Sequence, residues 1–291
     1  MAALLAWYGA NGRRLVIRQT RDPYAIWVAE TMSQQTQIGR VGEALPAFLA
    51  RFPDVRTLAE APTGEVLRAW GGLGYPRRAL ALRDAARAMV ELHEGQVPRD
   101  VEALEALPGI GPYTARAVAA TAFGTPVTAL DVNARRVVGR LLDGAAWPPA
   151  PTPSAQARAD ALAPRQAAAD WNHALMDLGA AVCRATPDCP GCPVRRWCAI
   201  GSGRVAPRPA PVRRAASRPA TPFHTTNRYV RGRVLAVLRD ASPGTWTELD
   251  ATALGLEPQR LGRAIVELLA EGLVERGDDA TGQALLRLPM A

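Results

Sequence analysis

The chain has 291 residues, of which 48% are hydrophobic and 21% charged, a composition that buries a core in one to three globular domains and excludes disorder throughout. No apolar run approaches the ~20 residues that cross a bilayer, and the opening lacks a basic start before its apolar stretch, so a soluble, cytoplasmic protein without a membrane partner is expected. The net charge of +8 comes from Arg alone, because the sequence contains no Lys. Nine Arg and no acidic residue lie between Gly201 and Arg239, which favours either a polyanion partner or a solvated basic linker.

Residues 1–200 consist of amphipathic helical stretches separated by short Gly/Pro breaks, with almost no β-branched alternation. This pattern predicts an all-α domain. The next stretch, 201–226, is rich in Pro and Arg and predicts an extended linker. The predicted helices of the first domain are 25–37, 41–51, 63–69, 77–92, 101–107, 115–122, 132–142 and 171–182.

Residues 227–291 predict a small winged-helix-like α+β module. Helices are expected at 229–238, 248–254 and 258–271, followed by two short strands around a turn at Gly277-Asp278-Asp279. Such modules bind nucleic acid in some proteins and pack against protein in others, so the fold of this segment does not assign its role.

The string LPGIGPYTA, residues 107–115, predicts a helix end, a hairpin with two glycines and a new helix. Gly109 and Gly111 let a partner approach the backbone closely, and the following helix start offers free N–H groups with partial positive charge. Together these features suit a DNA phosphate. The alternative is a plain helical hairpin in which the glycines serve only the geometry of the turn.

This string and four further blocks resemble the helix-hairpin-helix DNA glycosylases that carry an iron–sulfur cluster, and specifically the MutY adenine glycosylases. The blocks are DPYAIWVAETMSQQTQI (22–38), WGGLGYPRRA (70–79), ALDVNARRVVGR (129–140) and NHALMDLGAAVC (172–183), in the family's order. The resemblance implies an all-α helix-hairpin-helix glycosylase fold. It also implies double-stranded DNA with a mispair or lesion as partner, bound by a monomer that removes adenine opposite 8-oxoguanine or guanine.

The catalytic residues implied by the resemblance are two carboxylates. Glu30 lies in an apolar helical stretch, where a carboxylate is costly to bury unless it is paired or functional, although a surface Glu is the plainer interpretation. Asp131 precedes a helix and is by sequence an ordinary N-cap. The resemblance makes Glu30 the general acid that protonates the flipped adenine and Asp131 the group that stabilises the cationic sugar or its covalent adduct, a division of labour known from glycoside hydrolysis.

Two further positions bear on the chemistry. Asn133 matches an Asn that positions the family's site. Tyr113 stands where a lyase glycosylase of the same superfamily carries its Schiff-base Lys. Because this chain contains no Lys, strand cleavage by that route is excluded and a monofunctional glycosylase is expected.

Polar and aromatic residues in two of the blocks are implied to touch the DNA. Extruding a nucleotide leaves a gap that the protein fills. The resemblance places the opposite-base and intercalation contacts in two short runs of the sequence, where solvated filler is the alternative. Flanking arginines are expected to contact the DNA backbone. The intercalation set is Gln35, Thr36, Leu73 and Tyr75, and the backbone set is Arg77 and Arg78 together with the two hairpin glycines.

Four cysteines lie within sixteen residues, at Cys183, Cys189, Cys192 and Cys198. In a chain without a secretion signal, clustered thiols favour metal binding over disulfides. Their spacing alone leaves both a [4Fe–4S] cluster and a zinc ion open. The resemblance implies the [4Fe–4S] cluster, although the first loop is one residue shorter than the family pattern.

The base pocket departs from the family at three positions. The usual Leu-Pro-Trp-Arg is Leu-Val-Ile-Arg here, so Ile17 replaces a Trp beside Arg18. Ser33 replaces an apolar Leu, and His173 replaces a Gln or Glu. Two explanations are open for these three substitutions: neutral drift, or a change in the base that the enzyme excises. The chain also lacks the Nudix-like domain that reads 8-oxoguanine in many relatives. The alternatives are therefore a glycosylase of the same scaffold for another base, and a DNA-binding, redox-sensing regulator.

Overall fold

The computed structural model of the chain describes residues 1–145, 148, 150–206 and 221–290. The chain divides into two compact units. The first unit comprises Met1–Glu30 and Pro98–Ala215, and the second comprises Thr31–Val97 and Ala216–Ala291. Residues 1–200, expected as one domain, thus contribute to both units. Most of the predicted linker, residues 207–220, lies outside the described residues.

The described residues are largely helical. None of their helices has the length and apolar composition that crossing a bilayer requires. The helices are α1 (Ala2–Asn11), α2 (Pro23–Ser33), α3 (Ile38–Arg51), α4 (Val55–Glu60), α5 (Thr63–Trp70), α6 (Arg77–Leu92), α7 (Val101–Glu105), α8 (Pro112–Phe123), α9 (Val132–Asp143), α10 (Pro153–Asp160), α11 (Ala168–Ala181), α12 (Asn227–Asp240) and α13 (Pro258–Ala270), and the strands are β1 (Glu275–Asp278) and β2 (Ala284–Arg287).

The first unit is built around α11, which packs on α1, α8 and α9. Helix α9 begins where the Asp131 side chain accepts a hydrogen bond from the Ala134 N–H, and it ends at Gly144, whose φ is +66°. Helices α9 and α11 approach closely because Gly179 has no side chain; a Cβ there would lie 2.7 Å from that of Asn133. The core beneath them consists of Leu4, Ala134, Val137, Val138, Ala159, Trp171, Ala174, Leu175, Leu178 and Val194.

The second unit combines α3–α6 with the C-terminal segment. Its core contains an edge-to-face aromatic chain in which Phe48 lies 5.0 Å from Phe52 and 6.3 Å from Trp70 between ring centroids. Helix α6 packs on α4 and α5, and α12 packs on α13, on α5 and on the turn that follows α5. The strands are antiparallel, with Glu275 opposite Arg287 and Asp278 opposite Ala284.

The predicted helix at 248–254 is wrong. Those residues form turns, in which the Asp250 side chain accepts from the Thr252 N–H at 2.8 Å and Gly255 adopts a φ of +62°. So short a segment cannot repay the cost of helix nucleation against such a local side-chain bond. The strand turn is also shifted, because Gly277 lies within β1. Asp279 closes the turn by accepting from the N–H groups of Thr281 and Gln283, each at 2.8 Å.

Other helix boundaries differ from the sequence pattern as well. Helices α1, α4 and α10 were not predicted: α1 is apolar on most faces, and the other two are short. Helix α2 ends at Ser33 rather than at residue 37, since Gln35 adopts a left-handed φ of +54°. The carbonyls left at this helix end accept hydrogen bonds from the Arg78 guanidinium.

Candidate active site

Glu30 lies on the last turns of α2 and forms the centre of the candidate site in the first unit. Its Oε2 accepts a hydrogen bond from the Tyr113 hydroxyl, with 3.3 Å between the oxygens. Burial raises the pKa of Glu30 to about 7, against the opposing effects of the Tyr113 hydrogen bond and the positive charge of Arg18. The negative charge of Asp131 raises it further. A carboxyl with this pKa is partly protonated at neutral pH and suits general acid chemistry.

Tyr113 is positioned by the start of α8, one residue after a Pro at the first helical position. Burial and the neighbouring Glu30 charge raise its pKa well above the ordinary value. The hydroxyl therefore stays protonated and acts as a donor to Glu30. Its oxygen also lies 3.9 Å from the sulfur of Met176 on α11.

Asp131 is the N-cap of α9 and is also electrostatically coupled to Glu30. One carboxylate oxygen accepts from the Ala134 N–H at 2.6 Å, and the other accepts from the Asn133 amide at 3.2 Å. Burial raises the pKa of Asp131, and these two hydrogen bonds oppose the rise. The side chain that caps α9 thus also lies close enough to Glu30 to raise the pKa of that carboxyl.

Asn133 is itself held in place by Arg136, whose Nη2 donates to the Asn133 Oδ1 and to the Gly179 carbonyl, both at 2.7 Å. Arg136 also donates from Nε to the carbonyl of Cys183 at 2.7 Å. One turn later on α9, the buried Arg140 donates to the Cys183 Sγ at 3.4 Å and to the Arg184 carbonyl at 2.6 Å. Helix α9 therefore connects the candidate carboxylate to the cysteine loop through two arginines that the sequence pattern did not single out.

Ile17 and Arg18 lie in a 3₁₀ turn, Val16–Arg18, and both are partly buried. Arg18 binds Asp177 through two hydrogen bonds of 2.8 and 3.0 Å, and Arg13 adds Nε at 2.7 Å and its backbone N–H at 2.9 Å. Burial opposes ionisation of Asp177, but these hydrogen bonds outweigh it and lower its pKa. Asp177 was missed by the sequence analysis; a carboxylate on the apolar stretch NHALMDLG was the available signal.

His173 is buried on α11, with its ring 6.2 Å from that of Tyr8. Burial, together with the positive charge of Arg18, lowers the pKa of His173 to about 3. The imidazole is therefore neutral at physiological pH. Protonation cannot switch its hydrogen bonding in that range.

The hairpin between α7 and α8 has the predicted form, and both glycines are exposed. Gly109 has a φ of +70°, which a side chain would disfavour, so this glycine serves the turn itself. Gly111 caps α8 with an ordinary φ of −91°, and a Cβ placed there would meet nothing within 4 Å. A side chain at position 111 would therefore fit without an internal clash. It would, however, stand in the way of a partner that approaches the free N–H groups.

The predicted intercalation residues belong to the second unit, where residues 71–76 form what we call the reading loop. Tyr75 is 37% exposed and has a φ of +48°, and Gln35 is also exposed. Leu73 is 6% exposed. The Thr36 hydroxyl lies 3.3 Å from the Leu73 carbonyl. As placed, the reading loop offers an aromatic ring to a partner and keeps its Leu inside.

Arg77 and Arg78 begin α6 and differ in their surroundings. Arg77 is exposed. The Arg78 guanidinium is half-buried, where it donates to the carbonyls of Thr31 at 2.9 Å and Met32 at 3.1 Å, and to the Thr36 hydroxyl at 3.0 Å. It also lies 5.4 Å from the Tyr75 ring centroid. Arg78 thus ties the end of α2 to the reading loop, and its predicted phosphate contact stays a prediction.

All four cysteines are free and partly buried, and all four line one cavity beside Arg140. Two of them, Cys183 and Cys192, also pack against the core of the first unit. The described residues contain no group of three or more His, Cys, Asp or Glu side chains that could hold a single metal ion as placed.

Comparisons with known proteins bear on the fold and on the class of enzyme. A sequence model of the HhH-GPD superfamily base excision DNA repair proteins matches residues 28–160. A solved thermostable thymine-DNA glycosylase has a TM-score of 0.64 and 28% identity over 69% of this chain and 94% of its own. A complex of endonuclease III with DNA shares the fold, with a TM-score of 0.56 and 24% identity over 69% of this chain and 92% of its own. The fold and the site define a DNA N-glycosylase of base excision repair.

Closer relatives identify the family. The adenine DNA glycosylase of Mycobacterium tuberculosis H37Rv is 44% identical over 95% of this chain and 90% of its own, and that of Mycolicibacterium smegmatis is 43% identical over 95% and 92%. The human adenine DNA glycosylase is 38% identical over 67% of this chain and 38% of its own. The chain belongs to the adenine DNA glycosylases, as its resemblance to MutY enzymes predicted.

Proposed function

We propose that this enzyme removes adenine from duplex DNA in which adenine is paired with 8-oxoguanine or guanine. The carrying observation is Glu30, a carboxyl whose pKa burial raises to about 7 beside a Tyr113 donor and the Asp131 carboxylate. A single mispair lacks the twofold symmetry that a dimer would match, so we infer that the enzyme acts as a monomer. We place it in the cytoplasm, at the nucleoid, where its DNA substrate lies.

The proposed reaction begins with extrusion of the adenine from the helix stack. Protonated Glu30 transfers its proton to a ring nitrogen of the adenine, so the bond between the base nitrogen and C1′ breaks and the base leaves neutral. The sugar is left as an oxocarbenium ion, which the Asp131 carboxylate stabilises by charge or by a transient covalent bond. Water then adds at C1′ and releases a proton, leaving an abasic site.

Tyr113 and Asn133 act on the two carboxyls. The Tyr113 hydroxyl orients Glu30 and cannot accept its proton as a base, since its own pKa is raised well above the ordinary value. Asn133 donates to Asp131 and is locked by Arg136. Because the chain has no Lys, no lysine amine can form a Schiff base with the abasic sugar, and we expect the reaction to end at hydrolysis.

The DNA contacts are assigned to three places. The hairpin with Gly111 at the start of α8 would bind a phosphate, since that helix start is exposed and offers its N–H groups. Tyr75 and Gln35 are the exposed candidates for filling the gap left by the flipped base. Ile17, Ser33 and His173 are the candidates for lining the base pocket.

We propose a [4Fe–4S] cluster as the cofactor, held by Cys183, Cys189, Cys192 and Cys198. Cysteine thiolates bind such a cluster from several sides, and the four thiols of this chain line one cavity. The donor set is soft and the cavity lies next to the buried Arg140, whose charge offsets that of thiolates. When bound, such a group supplies structural cross-linking of the loop and an electron-transfer centre.

The test of the function is a panel of end-labelled duplexes with adenine opposite 8-oxoguanine, guanine or cytosine, and with hypoxanthine, incubated with enzyme and then with hot alkali. Strand breaks at adenine opposite 8-oxoguanine or guanine are expected. A protein that cleaves only at hypoxanthine or at none of the bases contradicts the proposal.

The cofactor has a separate test. Purified protein should contain about four iron atoms per chain and absorb visible light as iron–sulfur proteins do. Cys198→Ser should lose the iron and weaken duplex binding, because the loop is no longer pinned. Equimolar zinc with no iron would overturn the cluster.

A further inference from the structure

The reading loop is held from outside by α12 of the C-terminal segment. Nη1 of Arg228 donates to the Tyr75 hydroxyl at 3.0 Å, and its guanidinium carbon lies 4.3 Å from the Tyr75 ring centroid. Arg239 donates to the Gly71 carbonyl. These arginines are about three helical turns apart, so they project from one face of α12. That face of α12 therefore contacts the reading loop near both of its ends, at Gly71 and at Tyr75.

The segment is fixed to the same unit at two further points. Arg68 on α5 donates to the Ala241 carbonyl at 2.9 Å. The Gly64 N–H at the start of α5 donates to the Pro289 carbonyl at 2.7 Å, where a Cβ on Gly64 would come within 2.6 Å of the same oxygen. The C-terminal segment is thus anchored on the helix that leads into the reading loop. It is not a freely tethered module.

The held loop is conformationally unusual. Tyr75 has a φ of +48°, and Gly71 and Gly74 have values of +59° and +80°. A left-handed conformation at a non-glycine residue costs roughly 1 kcal/mol and persists only where the surroundings enforce it. Two arginines contact the Tyr75 ring: Arg78 from α6, and Arg228 from α12.

Two guanidiniums beside one ring are electrostatically unfavourable. Burial lowers the pKa of Arg78, and the positive charge of Arg228 lowers it further. Arg228 therefore does not neutralise a negative charge at this position. Its contacts with the ring and hydroxyl of Tyr75 restrict that side chain to one orientation, while 37% of the residue stays exposed.

We propose that the C-terminal segment sets opposite-base discrimination by bracing the reading loop, and that Arg228 is the positioning residue through which it acts. The proposal rests on the proposed function, because it assigns Tyr75 to the gap beside the orphaned base. A ring held in one orientation distinguishes base partners that differ by small shifts, whereas a loose ring adapts to each of them.

The experiment compares single-turnover excision of adenine opposite 8-oxoguanine with excision opposite cytosine. In Arg228→Ala the ratio of the two rates should fall about tenfold, because a cation–π contact and a hydrogen bond are lost together. Arg228→Lys should recover part of the ratio. The control is Arg233→Ala on the same helix, an exposed residue that should leave the ratio unchanged.

Two measurements separate positioning from general damage. Amide hydrogen exchange across residues 70–76 should accelerate in Arg228→Ala but not in Arg233→Ala. In a Tyr75→Leu background, Arg228→Ala should have no further effect on the ratio, because the residue it acts through is gone. Equal loss of both rates with an unchanged ratio, or full additivity of the two substitutions, would overturn the brace. If the wild-type enzyme fails to excise adenine at all, it is the proposed function that fails.

Discussion

The two carboxylates of the first unit and the reading loop of the second unit are built in opposite ways. Glu30 and Asp131 take hydrogen bonds from uncharged donors of their own unit, namely a half-buried tyrosine, a backbone N–H and an amide. The reading loop takes hydrogen bonds from arginines of the next helix and of α12. Neutral donors thus hold the carboxylates, whereas charged donors hold the reading loop. Substitutions should therefore separate rate from selectivity.

The largest effect is expected from Glu30→Gln, which removes the proposed acid and keeps the shape. Single-turnover excision should fall by ~10²–10⁴ while duplex binding is retained. Glu43→Gln, the same change at an exposed carboxyl on α3, is the control and should excise at the wild-type rate. Excision by Glu30→Gln at wild-type speed would remove Glu30 from the mechanism.

The same variant has a stability signature. The folded pKa of about 7 lies above the ordinary value of 4.5, so the folded protein holds this proton more tightly than the unfolded one. The stabilisation from proton binding is complete below pH 4.5 and is lost as pH rises through about 7. Compared with wild type, Glu30→Gln should therefore gain stability from pH 5 to pH 8 in urea unfolding.

Asp177→Asn tests the anchor of the first unit. The change leaves Arg18, whose side chain is 9% exposed, without its charged partner, and about 3 kcal/mol of stability should be lost. Asp143→Asn breaks an exposed pair with Arg158 and should cost less than about 1 kcal/mol. Denaturant unfolding compares the two. Because the pKa of Asp177 is lowered, its contribution is present above its ordinary pKa and disappears as pH falls through the lowered value. Equal losses in the two variants would contradict the buried anchor.

Tyr113→Phe should change the pH profile more than the maximal rate. The protonated form of Glu30 is the acid, so the single-turnover rate should decline as pH rises through about 7. The Tyr113 hydrogen bond favours the ionised carboxylate, so its loss should move this decline to higher pH. Tyr229→Phe on α12 is the control and should keep the wild-type profile. A profile that moves to lower pH would mean that Tyr113 does not contact the ionised form.

The two arginines that begin α6 should respond differently. Arg77→Gln should reduce the slope of log affinity against log salt by ~0.9 without lowering the melting temperature, as for a lost phosphate contact. Arg78→Gln should lower the melting temperature because carbonyls of the α2 end and the reading loop lose their donor. If both variants change the slope equally, Arg78 reaches DNA despite its internal bonds.

The smallest effect is expected in base selection. The double variant Ile17→Trp and Ser33→Leu restores the aromatic and apolar residues usual in the family and should improve stacking on adenine. The ratio of adenine to hypoxanthine excision should then rise a few-fold. Ala6→Ser on the exposed side of α1 is a neutral comparison. An unchanged ratio would mean that these positions have drifted without consequence.

Much of the first unit was predictable because its signals are local. The hairpin glycines and the cap at Asp131 follow from residues close in sequence, and so do the bounds 77–92 of α6 in the second unit. The Arg-rich stretch between Gly201 and Arg239 predicts either a polyanion partner or a solvated basic linker. In the structure Arg231 pairs with Glu267 and Glu271, while Arg228 and Arg239 bind the reading loop. Such long-range pairing has no signature in composition, and Asp177 was missed for the same reason.

The bond from Gly64 to Pro289 has a consequence for folding. The second unit joins residues 31–97 to the segment that begins at Ala216, so the bond links residues that are far apart in sequence. Contacts between such distant residues require closure of a long loop and form slowly. Part of α5 therefore stays uncovered until the C-terminal segment docks on it. The reading loop gains its contacts with α12 only at that late stage of folding.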